Sequence, residues 1–294
     1  MEKKINIYQI DAFTSNPFEG NPAGVTFADG LSGNEMQMIA KEMNLSETAF
    51  IAKSGNAGYN LKWFTPAVEV QLCGHATIAS LHFLKEMNQL KDNSSVTFDT
   101  LSGIIKCRRE GERYFMQIPL YSVQHYNKKH FQILDALGLN EKQTDKNVPF
   151  IRVQNGYLFI YLKKLSSIEK IKPDFNKLLQ LSKGGEADCF TVFTLETLEA
   201  GNNAHLRFFA PYYGINEDPV TGSANGPLLL VLKKLGMITP DKDGNMTANF
   251  EQGDFIGRPG RIGVQYLAKD NELYISGTAV TVMNGELRFH TKDS

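Results

Sequence analysis

Polar and apolar positions alternate along residues 5–13 with both faces partly apolar, the pattern of a half-buried strand. Asn16-Pro17-Phe18-Glu19-Gly20-Asn21-Pro22-Ala23-Gly24 then sets two prolines and two glycines in a rigid loop, and a strand resumes at Val25. Ser32 and Glu35 form a capping box ahead of Met36, Ile39, Ala40 and Met43, which predicts an amphipathic helix ending near Met43. Residues 44–51 return to strand character and leave Glu47 at a helix-to-strand connection. From Gly74 the apolar positions Ile78, Leu81, Phe83, Leu84 and Met87, with small Ala76 and Ala79, predict a helix buried on most sides. Strands follow over residues 96–98 and 103–119, turning at Glu110-Gly111.

Residues 121–147 are more polar and carry a predicted helix over 130–139, so they read as a linker. Beyond them the order recurs. Strands flank an Asn155-Gly156 turn, a helix covers residues 174–181, a strand covers 189–195, and the chain closes with strands over 260–289 joined at Asp270-Asn271 and Asn284-Gly285. The recurrence extends to sequence. Leu61-Lys62-Trp63-Phe64-Thr65-Pro66 leads to Cys73-Gly74-His75-Ala76-Thr77, and Leu206-Arg207-Phe208-Phe209-Ala210-Pro211 leads to Thr221-Gly222-Ser223-Ala224-Asn225. Each copy ends in a glycine followed by a long apolar helical pattern. Pro227 is tolerable only near a helix start, which places the second helix's beginning in or just after this segment.

These patterns predict an α+β fold of two pseudo-symmetric lobes, each a mostly antiparallel, barrel-like sheet wrapped around a central helix. The expected division is an N-terminal lobe over residues 1–120, a linker over 121–147 and a C-terminal lobe over 148–294, with the last strand a candidate to pack back on the N-terminal lobe. The two glycine turns are expected to face each other.

Composition narrows the function classes. A chain of 294 residues, 42% apolar and 21% charged with a net charge of −1, fits a soluble globular protein with no long-range pull on nucleic acid or an anionic membrane. Three cysteines without paired spacing suggest neither disulfides nor a zinc knuckle, and no apolar run is long enough to span a bilayer. A cytoplasmic location is expected. His82, His125, His130, His205 and His290 show no metal-ligand spacing, so no metal site is expected.

The chemistry-bearing residues gather at the two turns. A helix start offers unpaired amides and the positive end of the macrodipole, a fit for a carboxylate or phosphate. Gly74 and Gly222 let a ligand approach that backbone, although a single glycine of this kind more often serves packing. His75 can donate to a substrate oxygen or carry a proton near neutral pH, or simply hydrogen-bond within the fold. Glu217-Asp218-Pro219 brings carboxylates to the second turn, a placement that also complements a helix dipole. Cys73 before Gly74 suits an epimerase thiol, but its counterpart in the repeat is Thr221, so a two-thiol mechanism lacks its second thiol. Spacing alone does not single out Glu47.

Asp11-Ala12-Phe13-Thr14, Gly20-Asn21-Pro22-Ala23-Gly24-Val25, Leu45-Ser46-Glu47-Thr48-Ala49-Phe50, Cys73-Gly74-His75-Ala76-Thr77 and Glu217-Asp218-Pro219-Val220-Thr221-Gly222-Ser223-Ala224 together resemble the phenazine-biosynthesis PhzF-like isomerase family. The resemblance implies the diaminopimelate-epimerase-like fold and a cofactor-independent proton transfer between carbons of a dihydro-hydroxyanthranilate or a similar small carboxylate. It implies that Glu47 is the catalytic acid/base, that His75, Asp218 and Ser223 surround the substrate with the amides at Gly74 and Gly222, and that the protein is a homodimer. Two other readings stand beside it: a member that binds a small carboxylate or a protein without turnover, and a Cys73-dependent racemase.

Overall fold

A helix apolar along one stripe can lie on a surface, whereas one apolar on every side has to be enclosed. The computed structural model of this chain describes residues 2–54, 58–128 and 130–290 and contains both kinds. The chain divides into two compact units, Met1–Gln117 with Ile275–Ser294, and Ile118–Tyr274.

The first unit runs β1 (Glu2–Ala12), β2 (Asn21–Phe27), α1 (Gly33–Met43), β3 (Glu47–Lys53), β4 (Tyr59–Phe64), β5 (Glu69–Val70), α2 (Gly74–Glu86), β6 (Ser94–Thr100), β7 (Gly103–Glu110) and β8 (Arg113–Ile118). β2 lies parallel to β3, with α1 as the crossover, and β4 lies parallel to β6, with α2 as the crossover. β1–β2, β3–β4, β4–β5, β6–β7 and β7–β8 are antiparallel. α1 is the surface kind. Its Ser32–Glu35 capping box is formed, Met36, Ile39 and Ala40 are buried, and Asn44 ends it in the left-handed region. α2 is the enclosed kind, with every residue from His75 to Leu84 buried.

The second unit runs β9 (Val123–His125), α3 (Phe131–Ala136), β10 (Ile151–Val153), β11 (Tyr157–Tyr161), α4 (Leu165–Glu169), α5 (Phe175–Lys183), β12 (Cys189–Thr194), β13 (Ala204–Ala210), β14 (Ile215–Asp218), α6 (Gly222–Lys234), β15 (Met246–Gln252) and β16 (Gly260–Leu267). β17 (Glu272–Gly277) straddles the boundary, and β18 (Ala279–His290) returns to pair with β1 in the first unit. The pairing repeats that of the first unit step for step. β9–β10 and β10–β11 are antiparallel, β11 is parallel to β12 across α4 and α5, and β12–β13 and β13–β14 are antiparallel; β13 is parallel to β15 across α6, and β15–β16 is antiparallel. The residues of 121–147 belong to this unit, where Tyr126, Ile133, Leu134 and Leu137 join its apolar core.

The class is α+β, as the hydrophobic pattern predicts, but the ladders form an open sheet and do not close into a barrel. Two local expectations are corrected. Asn284-Gly285 is no turn: it lies inside β18, where Tyr8 and Ile7 pair with it, so the eleven-residue ladder with β1 overrides local turn chemistry. β2 begins at Asn21 rather than Val25, and Pro22 is accommodated near the strand's start. α6 begins at Gly222, within the expected segment, and Pro227 falls in its second turn. A proline there cannot donate to the carbonyl four residues back, and that Ser223 carbonyl instead accepts from Asn155 Nδ2 at 3.3 Å.

The loop between β1 and β2 is shaped by Asp11, whose buried carboxylate accepts the Phe18 amide at 2.8 Å. Gly20 sits at φ +60°, and a Cβ there would lie 2.1 Å from the Ala12 carbonyl oxygen. Gly20→Ala is therefore expected to cost about 2–4 kcal/mol, because both the left-handed backbone and a backbone contact oppose it. Urea unfolding of the variant checks this, and a change within ±0.5 kcal/mol would show that the loop shifts freely.

Candidate functional site

The outer helices α1 and α5 are capped by Ser32 and Asp174, whose side chains accept amides of the first turn. The two enclosed helices are not. Cys73 precedes α2 and Thr221 precedes α6, both in extended backbone, and neither side chain caps its helix. What each repeat secures instead is the carbonyl of that position: Thr77 Oγ1 donates to the Cys73 oxygen at 2.6 Å, and Asn225 Nδ2 donates to the Thr221 oxygen at 2.9 Å. Both turns are thus braced from within the helix while the first amides, at Gly74 and Gly222, are left for another acceptor.

In the first unit, β3 begins at Glu47 and brings it to the start of α2. Glu47 Oε2 lies 3.2 Å from His75 Nε2, with the two side chains only 13% and 7% exposed. The pair is off-line for a hydrogen bond, so Oε2 is buried without an aligned donor. Cys73 Sγ lies 3.6 Å from His75 Nδ1 and 4.0 Å from Nε2. Burial and the neighbouring Glu47 charge push the Cys73 thiol up to about 11. Burial alone would push His75 down, yet its anionic neighbours prevail and hold it well above the ordinary imidazole value. Cys73 is the larger of the two neighbours that raise His75, and Glu47 the smaller.

In the second unit, Asp218 ends β14 and is buried with Thr221, whose hydroxyl donates to Asp218 Oδ2 at 2.5 Å. Gln252, at the end of β15, locks this turn. Its Nε2 donates to the Asp218 carbonyl at 2.8 Å and to Thr221 Oγ1 at 3.0 Å, and its Oε1 accepts the Thr221 amide at 3.0 Å and Asn225 Nδ2 at 2.7 Å. Ser223 Oγ lies 3.2 Å from the Tyr157 hydroxyl, and burial pushes that phenol well above its usual range, so it stays neutral. Glu217 plays another part: Arg207 grips it with two bonds of 2.7 Å while donating to the Ile168 and Ile171 carbonyls. That buried clamp holds β14 in place and removes Glu217 from the candidate chemistry.

Glu47, His75 and Gly74 thus come together in one unit, and Asp218, Gly222 and Ser223 in the other. Sequence reasoning missed Gln252, Asn155 and Tyr157. Met246, Ala248 and Phe250 alternate along β15 and are buried, but nothing local marks the glutamine at its end. The repeat register adds an equivalence: Thr48 pairs with Phe64 in β3–β4 and Phe190 pairs with the matching Phe209 in β12–β13, so Glu47, one residue before Thr48, corresponds to Cys189. The acidic residue of one half is therefore a buried thiol in the other. Two of the other histidines make structural bonds: His82 bonds Tyr114 at 3.0 Å, and His205 bonds Asp254 at 3.0 Å.

Residues 10–285 match the family described as phenazine biosynthesis-like protein, PhzC-PhzF. A protein of Clostridium acetobutylicum named an uncharacterized isomerase is 39% identical, covering 98% of this chain and 99% of its own. The crystal structure of the Bacillus anthracis phenazine biosynthesis protein of the PhzF family superposes with a TM-score of 0.89 at 31% identity, over 97% of this chain and 99% of that one. At the level of fold alone, a hydroxyproline epimerase from Agrobacterium vitis superposes with a TM-score of 0.59 at 10% identity, over 97% and 92% of the two chains. No helix among the described residues is long and apolar enough to cross a membrane.

The raised His75 has a pH consequence with a definite sign. A group whose folded pKa exceeds its unfolded value, about 6.5 for histidine, contributes stability that is complete below that value and is lost as pH rises through the folded pKa. The stability advantage of wild type over His75→Gln is expected to shrink as pH rises above about 6.5. Paired urea titrations across that window measure it, and an advantage that grows with pH would refute the assignment.

Proposed function

Because the chain belongs to the phenazine biosynthesis-like PhzF family of isomerases, we propose that it moves a proton between carbons of a small carboxylate-bearing substrate, such as a dihydro-hydroxyanthranilate-like ring acid, without a cofactor. Glu47 is the acid/base. It takes a proton from an activated carbon and returns it at another, while His75 offsets the charge that develops. The amide at Gly74 is the anion-binding group beside Glu47 and His75 in the first unit; in the second unit the amide at Gly222, with Ser223, is the corresponding substrate-binding group, and Asp218 is its acidic group.

The observation that carries this reading is the Glu47–His75 contact of 3.2 Å at an uncapped helix start. A carboxylate with a buried, unaligned oxygen is free to accept a proton from carbon, and an imidazolium beside it offers the positive charge that an enolate-like transition state needs. The helix macrodipole adds about 0.3–1 kcal/mol toward an anion, or up to about 2 kcal/mol when partly buried. A positioned acid/base typically contributes about 10²–10⁴-fold, with electrostatic preorganisation adding to it.

A thiol racemase fits less well. Proton abstraction by sulfur needs the thiolate, and Cys73 is held up at about 11. The corresponding position in the second unit is Thr221, which is engaged with Asp218. A homodimer in the cytoplasm is the expected working form, with light scattering the check on its size.

The test is exchange at carbon. Dihydroaromatic, amino and hydroxy acids are incubated with the protein in deuterated water and followed by NMR. Wild type is expected to exchange at least one, Glu47→Gln to lose about 10²-fold or more, and Ser223→Ala to raise KM with a smaller change in kcat. Exchange that survives Glu47→Gln but disappears in Cys73→Ala would replace this mechanism with the thiol one.

A further inference from the structure

Each unit reaches the second residue of its enclosed helix from a pair of parallel strands, and the two pairs do it differently. β2 and β3 set Ala23 opposite Glu47, and the matching β11 and β12 set Tyr157 opposite Cys189. Both pairs therefore hold one long polar side chain and one small one, with the places exchanged. In the first unit the long one is Glu47, whose Oε2 comes within 3.2 Å of His75 Nε2. In the second it is Tyr157, whose hydroxyl comes within 3.2 Å of Ser223 Oγ. His75 and Ser223 occupy the same position, one residue after the glycine that starts each helix. The contact is common to both units although a different strand makes it. Filling space alone would not require two unlike side chains, from different strands, to end on the same position of the helix.

The surroundings of Tyr157 aim its hydroxyl at Ser223. The Tyr157 ring packs against buried Phe208 with centroids 5.1 Å apart. The Tyr157 amide donates to Asn155 Oδ1 at 3.3 Å, and Asn155 Nδ2 donates to the Ser223 carbonyl at 3.3 Å, so the turn before β11 holds the main chain of Ser223 while Tyr157 holds its side chain. Burial keeps the phenol protonated, and it keeps the neighbouring Cys189 thiol protonated as well. Ser223 itself is only partly buried, so its hydroxyl can meet a ligand with Tyr157 behind it.

We propose that Tyr157 is the positioning residue for Ser223: it donates its phenolic proton to Ser223 Oγ and so turns the serine's own proton toward a carboxylate at the Gly222 amide. Proton counting sets this direction. The two oxygens carry one proton each, and once an anion accepts the serine's, the phenol's is the one left to bridge them. A serine oxygen that accepts a hydrogen bond is in turn a stronger donor, so the first bond reinforces the second. The role rests on the reading that Ser223 and the Gly222 amide bind the substrate.

Benzoate, a minimal ring carboxylate, tests this without the natural substrate. The full chain is titrated with it while the Gly222 amide is followed by nitrogen-15 NMR, which reads the start of α6 apart from the start of α2. Wild type is expected to show a saturable shift. Ser223→Ala is expected to weaken binding by about tenfold, and Tyr157→Phe, which keeps the ring, by about fivefold or more. The double variant is expected to bind within about twofold of Ser223→Ala, because the phenol acts through the serine. Circular dichroism confirms that each variant is folded. A hydroxyl with a structural role only would leave Tyr157→Phe less stable to urea but unchanged in benzoate affinity. That result, losses that add in the double variant, or no saturable shift in wild type overturns the proposal and leaves the carbon-exchange test to decide the isomerase reading. On an acid that exchanges, Tyr157→Phe is expected to raise KM while kcat stays within about twofold of wild type. Coupled benzoate binding with no exchange on any acid would keep the positioning role and remove the isomerase reading, so the two fail separately.

Discussion

The constraint on which the structure depends is the enclosure of two helices that have no polar face. α2 is buried from His75 to Leu84, and α6 is buried at most positions from Gly222 to Leu232. A helix of this kind gains its stability only when strands surround it, at about 25 cal/mol for each Å² of apolar surface removed from water. Each unit answers with the same succession of ladders, two parallel crossovers among antiparallel neighbours. Enclosure also brings the helix starts inside, and with them amides that water would otherwise satisfy. Leaving those ends uncapped is costly in a buried setting, and a ligand site is the arrangement in which that cost has a use.

Repetition builds the two turns alike and then chemistry makes them different. The carbonyl before each helix is held by a side chain four residues on, Thr77 in one half and Asn225 in the other. At the matching positions, however, Cys73 stands against Thr221, His75 against Ser223, and Glu47 against Cys189. One half therefore concentrates charge, an acid beside a charged imidazole. The other concentrates neutral hydrogen-bonding groups around a single carboxylate, with Gln252 fixing Asp218 and Thr221 together.

Legibility followed the range of the interactions. The capping box at Ser32, the left-handed stop at Asn44 and the Asp174 cap arise within one turn of helix, and the residues alone predicted the helices they bound. The Asn284-Gly285 turn failed for the opposite reason. Its chemistry is local, but β1 supplies a long ladder that outweighs it. Pro227's place in the second turn of α6 likewise depends on a distant partner, Asn155, which takes the freed carbonyl. The family motifs singled out Glu47, which spacing did not, and no local pattern pointed to Gln252 or Tyr157.

The sequence by itself determined the α+β class, the duplicated strand-and-helix plan, the glycine turns and the family, because periodicity, capping and motif are properties of neighbouring residues. Only the tertiary structure decided that the sheet stays open, that Glu217 is taken by Arg207 while Asp218 is held by Thr221, and that Glu47, Cys73 and His75 converge. Those outcomes depend on strand register and on burial, which set the distances between groups many residues apart and so the charge each one carries. A thiol and an imidazole have ordinary titration ranges when read as letters; buried beside each other and beside Glu47, both are shifted upward.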